Sequence, residues 1–185
     1  MYSIDQLELE HENINRVNDV IQAISLKILH GEEVPVEDLR KMVEFIRDYG
    51  DAYHHGKEEE ILFSYMLEHL GPVAEKLVRS GMYVEHDQGR ALVLDLEAAL
   101  NEYETNPTEE GKLEIMTNAL GYRRQLRSHI DKENDVVYPF AVKNLPAEVL
   151  EKVEEETRAF NDKNTEVREK YTALLEELEK KYGLK

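Results

Sequence analysis

The hydrophobic positions of the chain repeat with the three- and four-residue spacing of amphipathic helices from one end to the other. No segment alternates with a period of two over any length, so the pattern predicts no β-sheet. Glycine and proline residues divide the pattern into separate helices. These are predicted over Ser3 to about His30, Val36 to His69, the short piece Val73–Arg79, a third long helix from Ser80-Gly81 to about Tyr103, and Thr108 to about Asn144. The chain is therefore expected to be all-α.

The C-terminal segment has a different character, because its apolar and small polar residues follow a heptad spacing amid Glu and Lys. This predicted fifth helix begins at Pro146. Its seam consists of Leu150, Val153, Thr157, Phe160, Asn164, Val167, Tyr171, Leu174 and Leu178. Such a helix either packs along the outside of the other helices or forms a coiled coil that joins two chains in a homodimer. The sequence does not decide between these two alternatives. We therefore divide the chain into a helical domain over residues 1–145 and a C-terminal amphipathic helix over residues 146–185.

The composition limits the partners and the chemistry of the protein. The 185 residues include 40 acidic and 23 basic side chains, which gives a formal net charge of −17. Such a surface repels phosphate backbones and anionic membranes, so neither nucleic acid nor a membrane is expected as a partner. The chain contains no cysteine, which excludes disulfides, thiolate metal sites and a thiol nucleophile. Together with an acidic N-terminus that lacks the features of a signal peptide, this predicts a cytoplasmic protein.

Alignment of the sequence with itself at an offset of 75 residues shows an internal repeat. In each half, a lone histidine precedes a His-x-x-x-Glu pair by 43 residues. The matched residues are Glu10 and Glu85, His11 and His86, His54 and His129, Lys57 and Lys132, Glu58 and Glu133, and Phe63 and Tyr138. The sequence thus predicts two helical hairpins that carry the same constellation.

The positions of the helix breaks place these residues at one level. In each half, the two histidines are equally distant from the break between them, which is Gly31–Pro35 in the first half and Pro107 in the second. Residues equidistant from the turn of an antiparallel hairpin lie at the same height. The i, i+4 spacing puts each later histidine and its glutamate on one helix face. Packing the two hairpins together therefore brings four histidines and two glutamates to one level of a four-helix bundle.

Four imidazoles and two carboxylates in an apolar interior would be costly without a partner. As ligands, they form a mixed nitrogen and oxygen set that suits two first-row transition ions. Each ion would take two histidines, and the two glutamates would bridge or cap. The predicted metal ligands are His11, His54, Glu58, His86, His129 and Glu133. Iron is the expected metal, with zinc or manganese as substitutes.

The three remaining histidines are expected not to bind metal. His30 and His69 stand at helix ends, where a cationic imidazole interacts favourably with the helix dipole. His55 also has a carboxylate at i+4, Glu59, but its match in the repeat is Ile130, which cannot be a ligand. We therefore expect His55 to face the solvent, with Glu59 as the alternative carboxylate if the helix is rotated.

The segments around these residues resemble the hemerythrin-like, cation-binding HHE family. The strings LEHENI, HHGKEEEILF, VEHDQGR and LRSHIDKENDVVYPF are similar to that family's motifs in their usual order, over about residues 4–143. The resemblance implies an up-down-up-down four-helix bundle with a non-haem di-iron site, and the six predicted ligands match the family's ligand positions. The fold class expected is this bundle with an additional C-terminal helix.

Two departures from the oxygen-carrying hemerythrins stand out. Those proteins have a His-x-x-x-His pair on the third helix, whereas here Arg90 follows His86 by four residues. They end with a His-x-x-x-x-Asp pair, whereas here the pair is His129-x-x-x-Glu133. The site is thus expected to have one histidine fewer and an open coordination position, which argues against reversible oxygen storage.

Several functions fit this sequence, and it does not decide whether the protein is an enzyme. A redox or sensing protein would react with O₂, peroxide or nitric oxide. A binding module would hold a small diatomic or peroxide ligand, or store iron, without turnover. A structural bundle would use metal only to stabilise the fold. The resemblance extends to iron-centre repair proteins, but these carry a cysteine-containing N-terminal segment that is absent here.

Overall fold

The chain is helical from end to end in the computed structural model, which describes residues 1–185 and contains no strand. The nine α-helices are α1 (Tyr2–Leu29), α2 (Val36–Phe45), α3 (Phe63–His69), α4 (Gly71–Leu77), α5 (Tyr83–Thr105), α6 (Glu109–Lys132), α7 (Tyr138–Asn144), α8 (Ala147–Lys163) and α9 (Thr165–Lys181). None of them combines the length and the apolar character that a membrane-spanning helix needs.

Four stretches of wider π-helix interrupt this regular pattern, over Ile46–His55, Glu58–Leu62, Val78–Met82 and Glu133–Val137. They join α2 to α3, α4 to α5 and α6 to α7 into longer helical rods, so the predicted break at Ser80-Gly81 is a π-helical stretch. A π-helix bonds residues five apart instead of four, so each residue rotates less around the axis than the roughly 100° of an α-helix. Neighbouring residues in these stretches can therefore face the same side, which the α-helical spacing does not predict.

The helices form a bundle of four antiparallel rods, and the predicted all-α bundle is confirmed. α1 packs against α6, α2 against α5, and α5 runs along α6. The breaks between the rods lie where glycine, proline and capping residues predicted them. Gly31 has a φ of 91°, which glycine adopts without strain. Thr108 begins α6, because its hydroxyl accepts a hydrogen bond from the amide of Gly111 at 3.0 Å.

The apolar core of the bundle is divided into two clusters with a polar layer between them. The larger cluster contains 25 buried residues and lies towards the Gly31 and Pro107 breaks, with Ile14, Leu100 and Tyr122 among them. The smaller contains 15 buried residues, including Leu7 and Tyr138, and lies towards the other end. The predicted metal ligands fall between the two clusters.

The C-terminal segment consists of two helices where the sequence predicted one. The helical backbone is interrupted at Asn164, whose φ and ψ are −112° and 23°. Its side-chain amide donates to the carbonyl of Phe160 at 2.9 Å, a local bond of the kind by which asparagine competes with a continuing helix. α8 contacts α1 and the Glu58–Leu62 stretch, and α9 contacts α1 and the Ile46–His55 stretch. Seam residues such as Val153 and Tyr171 are buried within the single chain, and a homodimer through this segment stays a prediction.

Candidate metal centre

The bundle brings all six predicted ligands into one buried cluster. Each side chain is at most 2% exposed. Glu133 lies 3.2 Å from Nε2 of His11 and 3.1 Å from Nε2 of His129, both measured to its Oε2. Oε2 of Glu58 lies 3.6 Å from Nε2 of both His54 and His86. The two carboxylates thus lie among the imidazoles of both halves, as the repeat predicts.

Many polar atoms in this cluster have no hydrogen-bond partner. They are Nε2 of His54, His86 and His129, Oε2 of Glu58, and both carboxylate oxygens of Glu133. A buried polar atom without a partner costs roughly 1–3 kcal/mol, so such a concentration in one place needs an explanation. The atoms are all potential metal ligands and converge on a common space. The residues present therefore fit a cationic group at this position.

The opposite nitrogen of each imidazole is fixed by a hydrogen-bond acceptor. These bonds join Nδ1 of His11 to Asn134 at 2.8 Å, His54 to Glu10 at 3.0 Å, His55 to Asp51 at 3.1 Å, His86 to Glu59 at 2.6 Å and His129 to Glu85 at 3.1 Å. With Nδ1 donating, Nε2 carries the lone pair that a metal needs. Glu10 and Glu85 were not predicted to support the imidazoles, although the two residues match each other in the repeat. Glu59 supports His86 and does not replace Glu58.

The expectation that His55 faces the solvent is wrong. Its side chain is only 12% exposed, and its ring stacks on that of His86 with centroids 3.7 Å apart. Ligand atoms of His55, Glu58, His86 and His129 all lie within 4.8 Å of one another, and those of His11, His54, Glu58 and Glu133 form a second such group. The π-helical stretch that ends at His55 lets this residue and its neighbour both reach the interior.

Five histidines, rather than four, therefore lie in the cluster. Although Arg90 follows His86 on the third helix, His55 from the second rod supplies an additional imidazole beside His86. Arg90 itself lies outside the cluster, where its Nη2 contacts Asp51 at 2.7 Å and Glu59 at 2.8 Å. Because those two carboxylates hold His55 and His86, Arg90 supports the imidazoles from outside.

Burial favours the neutral form of most of the imidazoles. It lowers the pKa of His54 well below its usual range, lowers the pKa of His129, and lowers the pKa of His55 to about 4. The pKa of His86 is raised instead: burial opposes its charge, but the nearby carboxylate of Glu133 and the hydrogen bond to Glu59 outweigh that effect. Neutral imidazoles are the form that binds metal, so three of these side chains are available at neutral pH.

The two carboxylates have unequal surroundings. Burial, with the neighbouring charge of Glu133, raises the pKa of Glu58 well above its usual range. Burial alone would also raise the pKa of Glu133. The nearby imidazoles of His129 and His11 outweigh this effect and hold the pKa of that carboxyl well below the usual range. Without a cation, the cluster therefore favours one ionised carboxylate, and a bound cation would offset the charge of both.

Tyr138 is a site residue that sequence analysis missed. Its hydroxyl donates to Oε1 of Glu58 at 2.6 Å and lies 3.4 Å from Nε2 of His11. Burial raises the pKa of this phenol well above its usual range, so it remains a donor. The signal available in the sequence was its match to Phe63 in the repeat, which showed a shared helix face but not the hydroxyl contact.

A cavity of about 210 Å³ connects the surface with one side of the cluster. His55 and His129 line it, together with Tyr122, Arg90 and Gly89 among others. Burial raises the pKa of the Tyr122 phenol well above its ordinary value. The His55–His129 side of the cluster therefore borders a cavity.

Fold and site together define a class of protein, namely a four-helix bundle with a histidine–carboxylate metal site between its helices. Comparison with protein families gives a more specific result. The model of the hemerythrin HHE cation-binding domain matches residues 2–141, so the chain belongs to that family. No match was found among the curated proteins or among the solved structures. The family resemblance predicted from the sequence is confirmed, and the matched region ends before α8.

Proposed function

We propose that this chain is a non-haem di-iron protein whose centre reacts with O₂, peroxide or nitric oxide. The observation that carries the proposal is the group of unpartnered, buried ligand atoms contributed by both halves of the bundle. His11 and His54 would hold one ion, and His55, His86 and His129 the other. Glu58 and Glu133 lie between the two groups. The same donor set accepts zinc or manganese.

The bound ions would supply Lewis acidity and redox electrons to a small ligand. The chain's own residues keep the imidazoles neutral, orient them through Nδ1, and shield the centre with the two apolar clusters. Tyr138 holds a proton on its phenol oxygen, which lies 2.6 Å from Oε1 of Glu58 and donates the hydrogen bond to it. The cavity beside His55 and His129 gives a diatomic molecule or peroxide access to the centre. Location in the cytoplasm stays a prediction.

The test begins with anaerobic loading of the metal-free protein with Fe²⁺, followed by optical spectra after addition of O₂, peroxide or nitric oxide. The double variant His54→Ala with His129→Ala removes one imidazole from each group, so iron binding and the spectral response should both be lost. The matched control is His30→Ala with His69→Ala, two histidines at helix ends away from the cluster, which should leave both unchanged. Equal iron content and equal spectra in the two double variants would contradict the site assignment. Full iron binding without any spectral response would favour storage or a structural role.

A further inference from the structure

A second repeat surrounds the metal ligands. Glu10 accepts from Nδ1 of His54 through one carboxylate oxygen and pairs with Lys57 through the other. In the second half, Glu85 accepts from Nδ1 of His129 at 3.1 Å and pairs with Lys132 at 2.5 Å. Both histidines are thus oriented by a Glu–Lys pair, and the two His–Glu–Lys triads are related by the same offset of 75 residues.

The two triads differ sharply in exposure. In the first triad, the Glu10 and Lys57 side chains are 3% and 1% exposed. In the second, the Glu85 and Lys132 side chains are 19% and 49% exposed. An ammonium group that is as buried as that of Lys57 needs partners in place of water, whereas that of Lys132 remains hydrated.

The difference comes from α8, which covers only the first triad. Its residue Asn161 is 3% exposed, and its side-chain oxygen accepts from Nζ of Lys57 at 3.0 Å and from the hydroxyl of Tyr53 at 2.9 Å. The amide nitrogen of Asn161 donates to the hydroxyl of Tyr2 at 3.1 Å. Nζ of Lys57 also lies 3.9 Å from the centre of the Tyr53 ring. One asparagine therefore ties α8 to the lysine that holds Glu10.

Removal of this oxygen would leave a buried ammonium group without one of its partners. The Lys57–Glu10 pair would then have to shift or take up water, and Glu10 would hold the ring of His54 less firmly. Groups that orient metal-binding histidines typically change metal affinity by about 10–100-fold when they are mutated. No equivalent of Asn161 contacts Lys132, so the effect should be confined to one half of the centre.

We propose that Asn161 is a positioning residue that, through Lys57 and Glu10, fixes the ring of His54 and thereby slows the loss of the ion held by His11 and His54. The positioning role of Asn161 rests on the proposed function, because it requires two bound ions. It adds that α8, which lies beyond the family domain, controls one ion selectively.

The test uses the full chain loaded with Co²⁺ and mixed with excess chelator, and the visible absorbance follows release of the two ions. The phase that is missing in His11→Ala is assigned to the His11–His54 position. In Asn161→Ala, this phase should become about 10–100-fold faster, while the other phase should change less than about threefold. Asn161→Asp keeps an oxygen acceptor facing Lys57 and should largely restore the slow release.

The matched control is Val153→Ala, which weakens the packing of α8 in the smaller apolar cluster without touching the triad. It should leave both phases close to those of the unmodified protein. If Val153→Ala accelerates release as much as Asn161→Ala, or if Asn161→Ala changes both phases equally or neither, Asn161 does not position His54.

A second measurement needs no metal. In the metal-free protein, proton NMR should show faster exchange with water of the His54 Nδ1 proton in Asn161→Ala, and no change at His129. Unchanged exchange at His54 would overturn the positioning role. Binding of fewer than two Co²⁺ ions by the unmodified protein would contradict the proposed function instead, and the NMR result distinguishes the two failures.

Discussion

The ring of His55 lies against that of His86 inside the centre, although its match in the repeat is the aliphatic Ile130. The two halves of the bundle therefore carry the same framework of ligands but not the same number of imidazoles. The first half contributes three clustered histidines and the second half two. Because His55 lies with His86 and His129, however, the candidate group of His11 and His54 has two histidines and the other group has three. This inequality distinguishes the two candidate ion positions at the level of single residues.

Replacement of His55 by alanine should reduce the iron content from two ions to about one per chain. The change removes one of three imidazoles from the second group, and its effect should exceed the roughly 10–100-fold loss of affinity typical of supporting residues. Iron analysis after competition with a chelator measures this directly. His69→Ala is the control, because that side chain is 31% exposed and lies at a helix end. Two tightly held ions in His55→Ala would show that this residue only packs beside the centre.

Gly89 lines the cavity that leads to His55 and His129. A Cβ atom there would meet only Oε1 of Gln125 at 3.5 Å and a ring carbon of Tyr122 at 3.8 Å, both ordinary contacts. A Cβ atom is therefore accommodated at this position, and the longer side chain of Gly89→Leu should extend into the cavity and obstruct it. Nitric oxide should then bind the iron-loaded protein more slowly, by about tenfold or more, because its passage would require a side-chain movement.

The control for this obstruction is Ala91→Leu, a similar enlargement at an exposed position of the same helix. Stopped-flow absorbance measures the rate in both variants, and iron analysis verifies that both remain loaded. If the rate in Gly89→Leu equals that of the control, the external ligand enters by another path.

At the scale of elements, the helices and their ends could be predicted because they depend on local spacing and on capping residues such as Thr108. The π-helical stretches could not, since a wider turn leaves no mark in a three- and four-residue pattern. The match of His55 to Ile130 in the repeat therefore led to the wrong side for His55, because the repeat does not show the wider turn that ends at this residue. The break at Asn164 was missed for a related reason, because the heptad seam continues through it while the backbone does not.

An ion pair joins α9 to α1 near the end of the chain. Arg16 donates two hydrogen bonds to Glu179, at 2.8 and 2.7 Å, and these hold the pKa of Glu179 at about 2. Glu179→Gln should lower the free energy of unfolding by about 1 kcal/mol at neutral pH, the upper range for a pair of this kind. Urea unfolding of the metal-free protein measures the change.

The pH dependence provides the control on this pair. The lowered pKa means that the stabilisation is fully present above the ordinary value of 4.5 and is lost as the pH falls towards about 2. The difference between the unmodified protein and Glu179→Gln should shrink over that interval. Glu176→Gln removes an exposed carboxylate nearby and should have no comparable effect. A difference that persists unchanged at low pH would mean that the ion pair is not its cause.

At the scale of the whole molecule, the protein consists of two similar helical hairpins whose surroundings differ. The repeat alone predicted the four-rod bundle and six of the seven clustered candidate ligands, because the equal distances of paired residues from each break fix their height in the bundle. It could not predict that Lys57 is buried while its match Lys132 is exposed. That difference depends on where the C-terminal helices fold back, and only the tertiary structure shows that Asn161 meets the first half.

The central claim is that one buried centre holds two iron ions between the halves of this bundle. Iron analysis combined with Mössbauer spectroscopy in an applied magnetic field, on protein loaded anaerobically and then oxidised, tests it most directly. We predict two iron ions per chain that are magnetically coupled, because Glu58 and Glu133 lie between the two groups of histidines, and inequivalent, because those groups contain two and three imidazoles. A single iron ion per chain, or two ions that behave as magnetically independent centres, would contradict the claim.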